Sequence, residues 1–330
     1  MQLTATTLTG LRLWKKAEHT TLSSGWMALV ITVLAGSTTS AFGKQLTNVF
    51  SPLSMLFMSE VMMLLFAVLS FGFLPIVRTL MKLKRREIIP LCIAGFLNGV
   101  VASAFWFAGL AQTSAVNAQL FGITEMLFLV ILAVIFARQQ FSSHHAVGGG
   151  IILFGVIVVA LEGFTDGLTL RAGDMLITLS CLLYAVGATV VSRYLRTVTP
   201  QIIIVVRSGV AIACFFLVSP FIAHPFRAEL AAFPLALLPV LLSYGFIARF
   251  VMMFSYYESI ERLPVTTVSL LGTLTIAGST LFAHLYLGET VYWYQVVGGT
   301  LIVAGACAVY ARGIFRNLAH EVHHLKVGQR

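Results

Sequence analysis

Charge is scarce in this sequence. Of its 330 residues, 10% are Asp, Glu, Lys or Arg, against about 25% in an ordinary soluble domain. With 58% of the chain hydrophobic, a water-soluble fold is excluded, because too much apolar surface would face solvent. Cysteine is scarce too: Cys92, Cys181, Cys214 and Cys307 all fall in apolar runs, where a thiol behaves as a small hydrophobe, so no disulfide framework is implied. The chain has no GxxxxGK[ST] run, which excludes ATP hydrolysis on a phosphate loop as its own power source. Also missing are the segments of about ten alternating apolar and polar residues that build a membrane β-barrel.

What is present instead is a succession of solidly apolar runs: 26–43, 53–75, 88–110, 115–137, 146–162, 172–192, 201–223, 235–257, 264–287 and 293–311. A spanning helix needs about 20 such residues, so the expected fold is an all-α integral membrane protein with ten transmembrane helices. Residues 1–25 form an N-terminal segment and 312–330 a basic, His-rich tail. Lys15 and Lys16 ahead of an apolar run imitate a signal peptide, but no small-residue cleavage pattern follows, so the first helix is expected to be retained.

The formal net charge of +9 invites a nucleic-acid reading that the placement of the charges removes. With the N-terminus inside, the inner segments hold 16 of the 21 basic residues and the outer loops only Lys44, Arg171 and Arg227. That asymmetry is the positive-inside signature. It predicts a multi-pass protein of the cell inner (plasma) membrane with both termini cytoplasmic.

The sequence also repeats itself. At an offset of 150, Val147, Gly148, Gly149, Ile152, Gly155 and Val159 meet identical residues, Gly122 meets Gly272, Phe136 meets Tyr286 and Gln139 meets Glu289. At 149, GSTTSAFGK ending at Lys44 aligns with AVGATVVSR ending at Arg193, and at 148 Pro52 pairs with Pro200. The repeats are 26–162 and 172–311. Five spans are an odd number, so the second copy enters the membrane from the opposite side. Such inverted repeats are an architecture of secondary transporters, with the substrate near the midplane between halves that rock.

These residues resemble the EamA family of the drug/metabolite transporter superfamily. The likeness rests on Gly288-Glu289 followed by the glycine-rich final helix, on Pro200 with Arg207 seven residues later, on Gly36-Ser37, and on IERLPVTTVSLL entering helix 9. The first half departs from the pattern. Arg138-Gln139 stand in place of the Gly-Glu pair, Met126 and Ile276 replace the usual helix 4 and 9 prolines, and Ser59-Glu60 sits where arginine is common. The resemblance implies a secondary transporter and not an enzyme, without cofactor or catalytic residues.

Ionisable side chains inside a bilayer are costly and so face the bundle interior. Glu60, Glu125, Arg207 and Arg249 qualify, and Glu258 lies nearer the inner end. Two readings stay open: a cavity whose arginines hold a carboxylate or phosphate while its glutamates hold an amine or proton, or ion pairs that only lock helices together. Two charges of each sign suggest a zwitterionic, amino-acid-like solute, exported from the cytoplasm. Drugs, vitamins, nucleosides and opine-type metallophores are the alternatives within the transporter class, and an intramembrane enzyme or a receptor those outside it. Asn98, Trp106, Gln119, Tyr256 and Tyr257 are the further cavity candidates. Each also has a plainer reading, Asn98 and Gln119, like Asn117, as interhelical hydrogen bonders and the aromatics as packing. Tyr292, Trp293 and Tyr294 read as an interfacial belt. The expected partners are a small-molecule substrate and the lipid bilayer, with a homodimer left open and nucleic acid not expected. HEVHH at 320–324 matches the zinc-protease spacing, but it sits on a terminal tail with no domain to supply a third ligand, so no metal site is expected.

Overall fold

The computed structural model describes residues 23–137, 143–162, 171–195, 198–221, 225–263, 268 and 271–308, and among these every regular element is helical. Ten apolar helices follow one another. They are α1 (Ser23–Thr47), α2 (Pro52–Phe71), α3 (Arg85–Gln112), α4 (Ala115–Gly122 continued by Thr124–Ala137), α5 (Ser143–Ala160), α6 (Ala172–Tyr194), α7 (Pro200–Val218), α8 (Leu235–Ser259), α9 (Leu274–Leu287) and α10 (Trp293–Ala308). Stretches of α1, α2, α3, α6, α7 and α8 are each long and apolar enough to cross a bilayer alone. Helices answer the constraint directly, because in hydrocarbon every backbone N–H and C=O must be satisfied within the segment. Large apolar side chains such as Leu34, Leu69, Leu217 and Leu285 point outward, which suits lipid and would not suit water.

Local chemistry sets the helix ends. Pro52 and Pro200 occupy the first turn of α2 and α7, each after an extended residue, Ser51 and Thr199, where the missing N–H costs nothing. At the end of α9, Gly288 adopts φ +69°, the left-handed cap that glycine takes without strain. The reversal carries Glu289 off the helix axis, its N–H turned back to the Ala283 carbonyl at 3.4 Å.

The two halves pack as copies related by an approximate two-fold. A Cβ built on Gly155 of α5 would lie 2.7 Å from the Gly298 carbonyl of α10, and one on Gly305 would lie 2.7 Å from the Gly148 carbonyl. Under the 150-residue repeat these contacts are the same contact read in both directions, and they make α5 and α10 antiparallel. Glycine is required because the backbones themselves touch. A second reciprocal pair brings Gly95 of α3 against Arg207 and Val210 of α7, and Gly245 of α8 against Met62 and Phe66 of α2.

Two irregularities recur at equivalent places. α3 passes through a π-helical segment at Phe96–Ala102 and α8 through one at Tyr244–Val251. α4 breaks at Ile123 after Gly122, and its counterpart α9 begins after a turn at Thr273 that follows Gly272. Wide turns of this kind free a backbone carbonyl and redirect side chains, and they concentrate at functional sites. Both π-helical segments lie mid-helix.

The glycine crossing gives a direct test. G155A and G305A should each lower the melting temperature in detergent, by the equivalent of about 1–3 kcal/mol of overpacking. G150A, where a Cβ would meet nothing within 4 Å, should leave it unchanged.

Candidate functional site

The repeat brings α2 and α7 together on the two-fold, and the charged residues meet there. Glu60 has no accessible surface. Its Oε1 accepts hydrogen bonds from Arg207 Nη2 at 3.1 Å and Arg249 Nη2 at 2.9 Å, and its Oε2 accepts one from Ser208 Oγ at 2.7 Å. Counting from the prolines, Glu60 and Ser208 are the same position of the two repeats, so this last bond joins a residue to its own counterpart. Arg249 reaches the cluster because it lies in the π-helical segment of α8. Its counterpart Gly99 in α3 leaves room for the Arg207 backbone, whose carbonyl would lie 3.0 Å from a Cβ there.

The cluster holds two positive charges against one negative. Both guanidiniums are buried, each 8% exposed, and the Nε of each lacks a hydrogen-bond partner. The Arg207 guanidinium sits 5.9 Å from the centroid of the Tyr184 ring, a cation–π contact strengthened by desolvation. The Tyr184 hydroxyl meets Ser103 Oγ at 2.9 Å, and the Ser103 hydroxyl donates to the Asn98 carbonyl within the π-helical segment of α3 at 2.8 Å. One network therefore ties α2, α7, α8, α6 and α3 around the excess positive charge.

Glu125 stands apart from this cluster. It occupies the first turn after the break in α4, where the helix dipole favours a negative charge. It lies within Coulombic range of Arg207 and makes no ion pair among the described residues. The break is covered by Trp106, whose Cη2 would lie 3.5 Å from a Cβ on Gly122, and by Cys181, whose Sγ donates to the Gly122 carbonyl at 3.5 Å.

The remaining candidates divide. The Asn98 side chain fills the space above Gly187 of α6, and its Oδ1 has no partner. Tyr257 lies within Coulombic range of both Arg207 and Glu125, whereas Tyr256, 37% exposed, is turned further out. Gln119 accepts a hydrogen bond from Ser40 of α1 at 2.8 Å, which is the interhelical role. Asn117 is engaged elsewhere, accepting from Gln295 Nε2 at 2.7 Å near the Lys44 end. Tyr184, Ser103 and Ser208 escaped the sequence reading. Ser208 alone had a signal, its register with Glu60 at the Pro52–Pro200 offset. Among the described residues no three His, Cys, Asp or Glu side chains gather to hold a metal ion; HEVHH at 320–324 lies outside them.

Comparison with known proteins agrees with this architecture. The profile of the EamA-like transporter family matches residues 23–161 and again 171–311. The chain is 26% identical over 237 residues to an uncharacterized transporter of Methanothermobacter thermautotrophicus, covering 70% of this chain and 67% of that protein. It is 24% identical over 233 residues to an uncharacterized transporter of Synechocystis, covering 69% and 66%, and 22% identical over 238 residues to the uncharacterized transporter YyaM of Bacillus subtilis, covering 70% and 75%. A crystal structure with 18% identity superposes with a TM-score of 0.55 over 88% of this chain and 95% of its own, a likeness of fold alone.

The buried cluster predicts a graded loss of stability. E60Q strips both guanidiniums of their counter-ion and should cost about 3–5 kcal/mol, whereas S208A removes one hydrogen bond to a charged group and should cost about 1–3 kcal/mol. Thermal unfolding in detergent would rank them, and equal losses would contradict the arrangement.

Proposed function

The chain belongs to the EamA-like transporter family and is a small-molecule membrane transporter, and from that premise we propose that it moves a small zwitterionic, amino-acid-like metabolite by alternating access between its halves, exporting it across the cytoplasmic membrane. One observation carries the substrate class. The unbalanced guanidinium charge at Arg207 and Arg249, with two unused Nε–H donors, complements a carboxylate, and Glu125, which has no ion pair among the described residues, complements an ammonium group. Arginine suits the first task, since its planar fork meets both carboxylate oxygens.

In this reading Glu60 is a positioning residue. It holds both guanidiniums in one place while the substrate takes the donors they have left. Trp106 and Tyr257 provide aromatic walls on either side, and Asn98 offers its free Oδ1 to the ammonium end. The 16 basic residues of the segments read as inner support a cytoplasmic location for both termini, with the Lys44 end outside.

Counterflow in proteoliposomes tests the reading. Internal unlabelled amino acids should drive uptake of a labelled one without altering it chemically, which separates a transporter from an enzyme. E125Q and R249K should each reduce exchange by about tenfold or more, as expected for a lost charge-assisted bond. Unchanged exchange of every amino-acid-like solute in both variants would overturn the zwitterion assignment.

A further inference from the structure

At the Lys44 end, carboxylates of the second half sit on helix N-termini of the first. Glu289, thrown off α9 by the left-handed Gly288, accepts the backbone N–H of Ala115 through Oε1 at 2.8 Å and that of Val116 through Oε2 at 3.1 Å. These are the first two residues of α4. Glu229, on the short helix Phe226–Ala231 between α7 and α8, accepts the N–H of Ser51 at 2.9 Å and faces its hydroxyl at 3.4 Å, and Ser51 is the N-cap of α2. Further bonds cross between halves at this end, among them one donated by Thr113 Oγ1 to Asp174 Oδ1 at 2.5 Å. Gln295 donates to Asn117 at 2.7 Å, and the Tyr286 hydroxyl donates to Gln45 at 2.6 Å.

Glu289, Asn117 and Gln295 also line a cavity of about 900 Å³ at this end, together with Lys44, Gln112 and Trp293 among others. The charged groups on its wall are already engaged: Lys44 Nζ donates to the Leu110 and Ala111 carbonyls at 2.9 and 3.1 Å, and Arg171 pairs with Glu162. The wall is bound to itself, which is the condition of a seal. Ser40, deeper along α1, has no accessible surface.

An exact inverted repeat would build the same seal at the other end, and this chain does not have the residues for it. Under the repeat offsets the place of Glu229 falls to Met81, that of Tyr286 to Phe136 and that of Glu289 to Gln139, the last outside the described residues. None is a carboxylate, so none can place a full negative charge on a helix N-terminus. Among the described residues, an exposed hydrogen bond from Arg262 Nη1 to Ser24 Oγ bridges the halves at that end.

The geometry points to a one-sided clamp: Glu229 and Glu289 hold the Lys44 end shut by capping α2 and α4 across the interface between halves, and they make closure at that end the resting state of the transporter. A substrate leaving through that end must first break both caps. The inference rests on the transporter reading but names no substrate, so it is testable without one.

The experiment uses S40C in the full chain, with the four native cysteines replaced by alanine, reconstituted in proteoliposomes. A membrane-impermeant thiosulfonate is applied from one side at a time. E229Q and E289Q together keep side-chain shape and remove the charge. They should raise the labelling rate from the Lys44 side by about tenfold and leave the rate from the other side unchanged. No change, or an equal rise from both sides, would overturn the clamp. Spin labels at Gln112 and Thr290 supply a second measurement with both glutamates intact. One narrow distance supports the clamp, and a dominant separated population refutes it. Loss of counterflow with the clamp result intact would count against the substrate assignment alone.

Discussion

A carboxylate with no accessible surface has to be neutralised within bonding distance, and in this molecule that carboxylate is Glu60. Meeting its need organises the centre of the bundle. α2 and α7 must cross at the two-fold so that Ser208 faces it. α3 and α8 must approach closely enough, through Gly95 and Gly245, for the arginines to arrive from the second half. The π-helical turn in α8 then aims Arg249 at the same oxygen that Arg207 uses. Removing water from three charges at once is costly, and the cost falls where two guanidiniums are left with donors to spare.

Much of this architecture was legible in the residues. Apolar runs mark the spans, and the recurrence of VGG at 147 and 297 exposes the duplication. The four intramembrane charges are conspicuous because so few charges exist. The geometry that gives them meaning was less legible. Nothing in FLNGVVA or YGFIARFV announces a π-helical turn, because the signal is a backbone register and not a residue type. The breaks in α4 and α9 persist without the family's prolines, so a search for proline passes over them. Gln119 and Asn117 read in sequence either as cavity polar groups or as interhelical hydrogen bonders, and each makes a hydrogen bond across a helix interface, to Ser40 and Gln295, partners that local pattern does not reveal. Glu289 was visible as half of a Gly-Glu pair, but the donors it accepts from, two backbone amides more than 170 residues away, lie beyond local pattern.

The halves have kept one backbone and divided the chemistry. Both carboxylates of the centre, Glu60 and Glu125, come from the first half, where the second has Ser208 and Thr275. Both guanidiniums, Arg207 and Arg249, come from the second half, where the first has Ser59 and Gly99. Equivalent glycines, prolines, wide turns and breaks remain in register while the ionisable groups do not. Backbone contacts at glycine tolerate no side chain in either copy, whereas a charge needs to be supplied only once for a pair of facing positions.

The hydrogen bond between Glu60 and Ser208 carries one more meaning, because it joins equivalent positions. Two copies of the first half, assembled as the halves are now, would set one Glu60 carboxylate directly against another, with no arginine from either copy to separate them. Two copies of the second half would bring four guanidiniums around two serines. Each half is thus unfit to associate with itself and fit to associate with the other. If the chain were cut between α5 and α6 and its pieces made separately, charge alone would sort them into mixed pairs, so the fusion of the two repeats supplies proximity and stoichiometry rather than recognition.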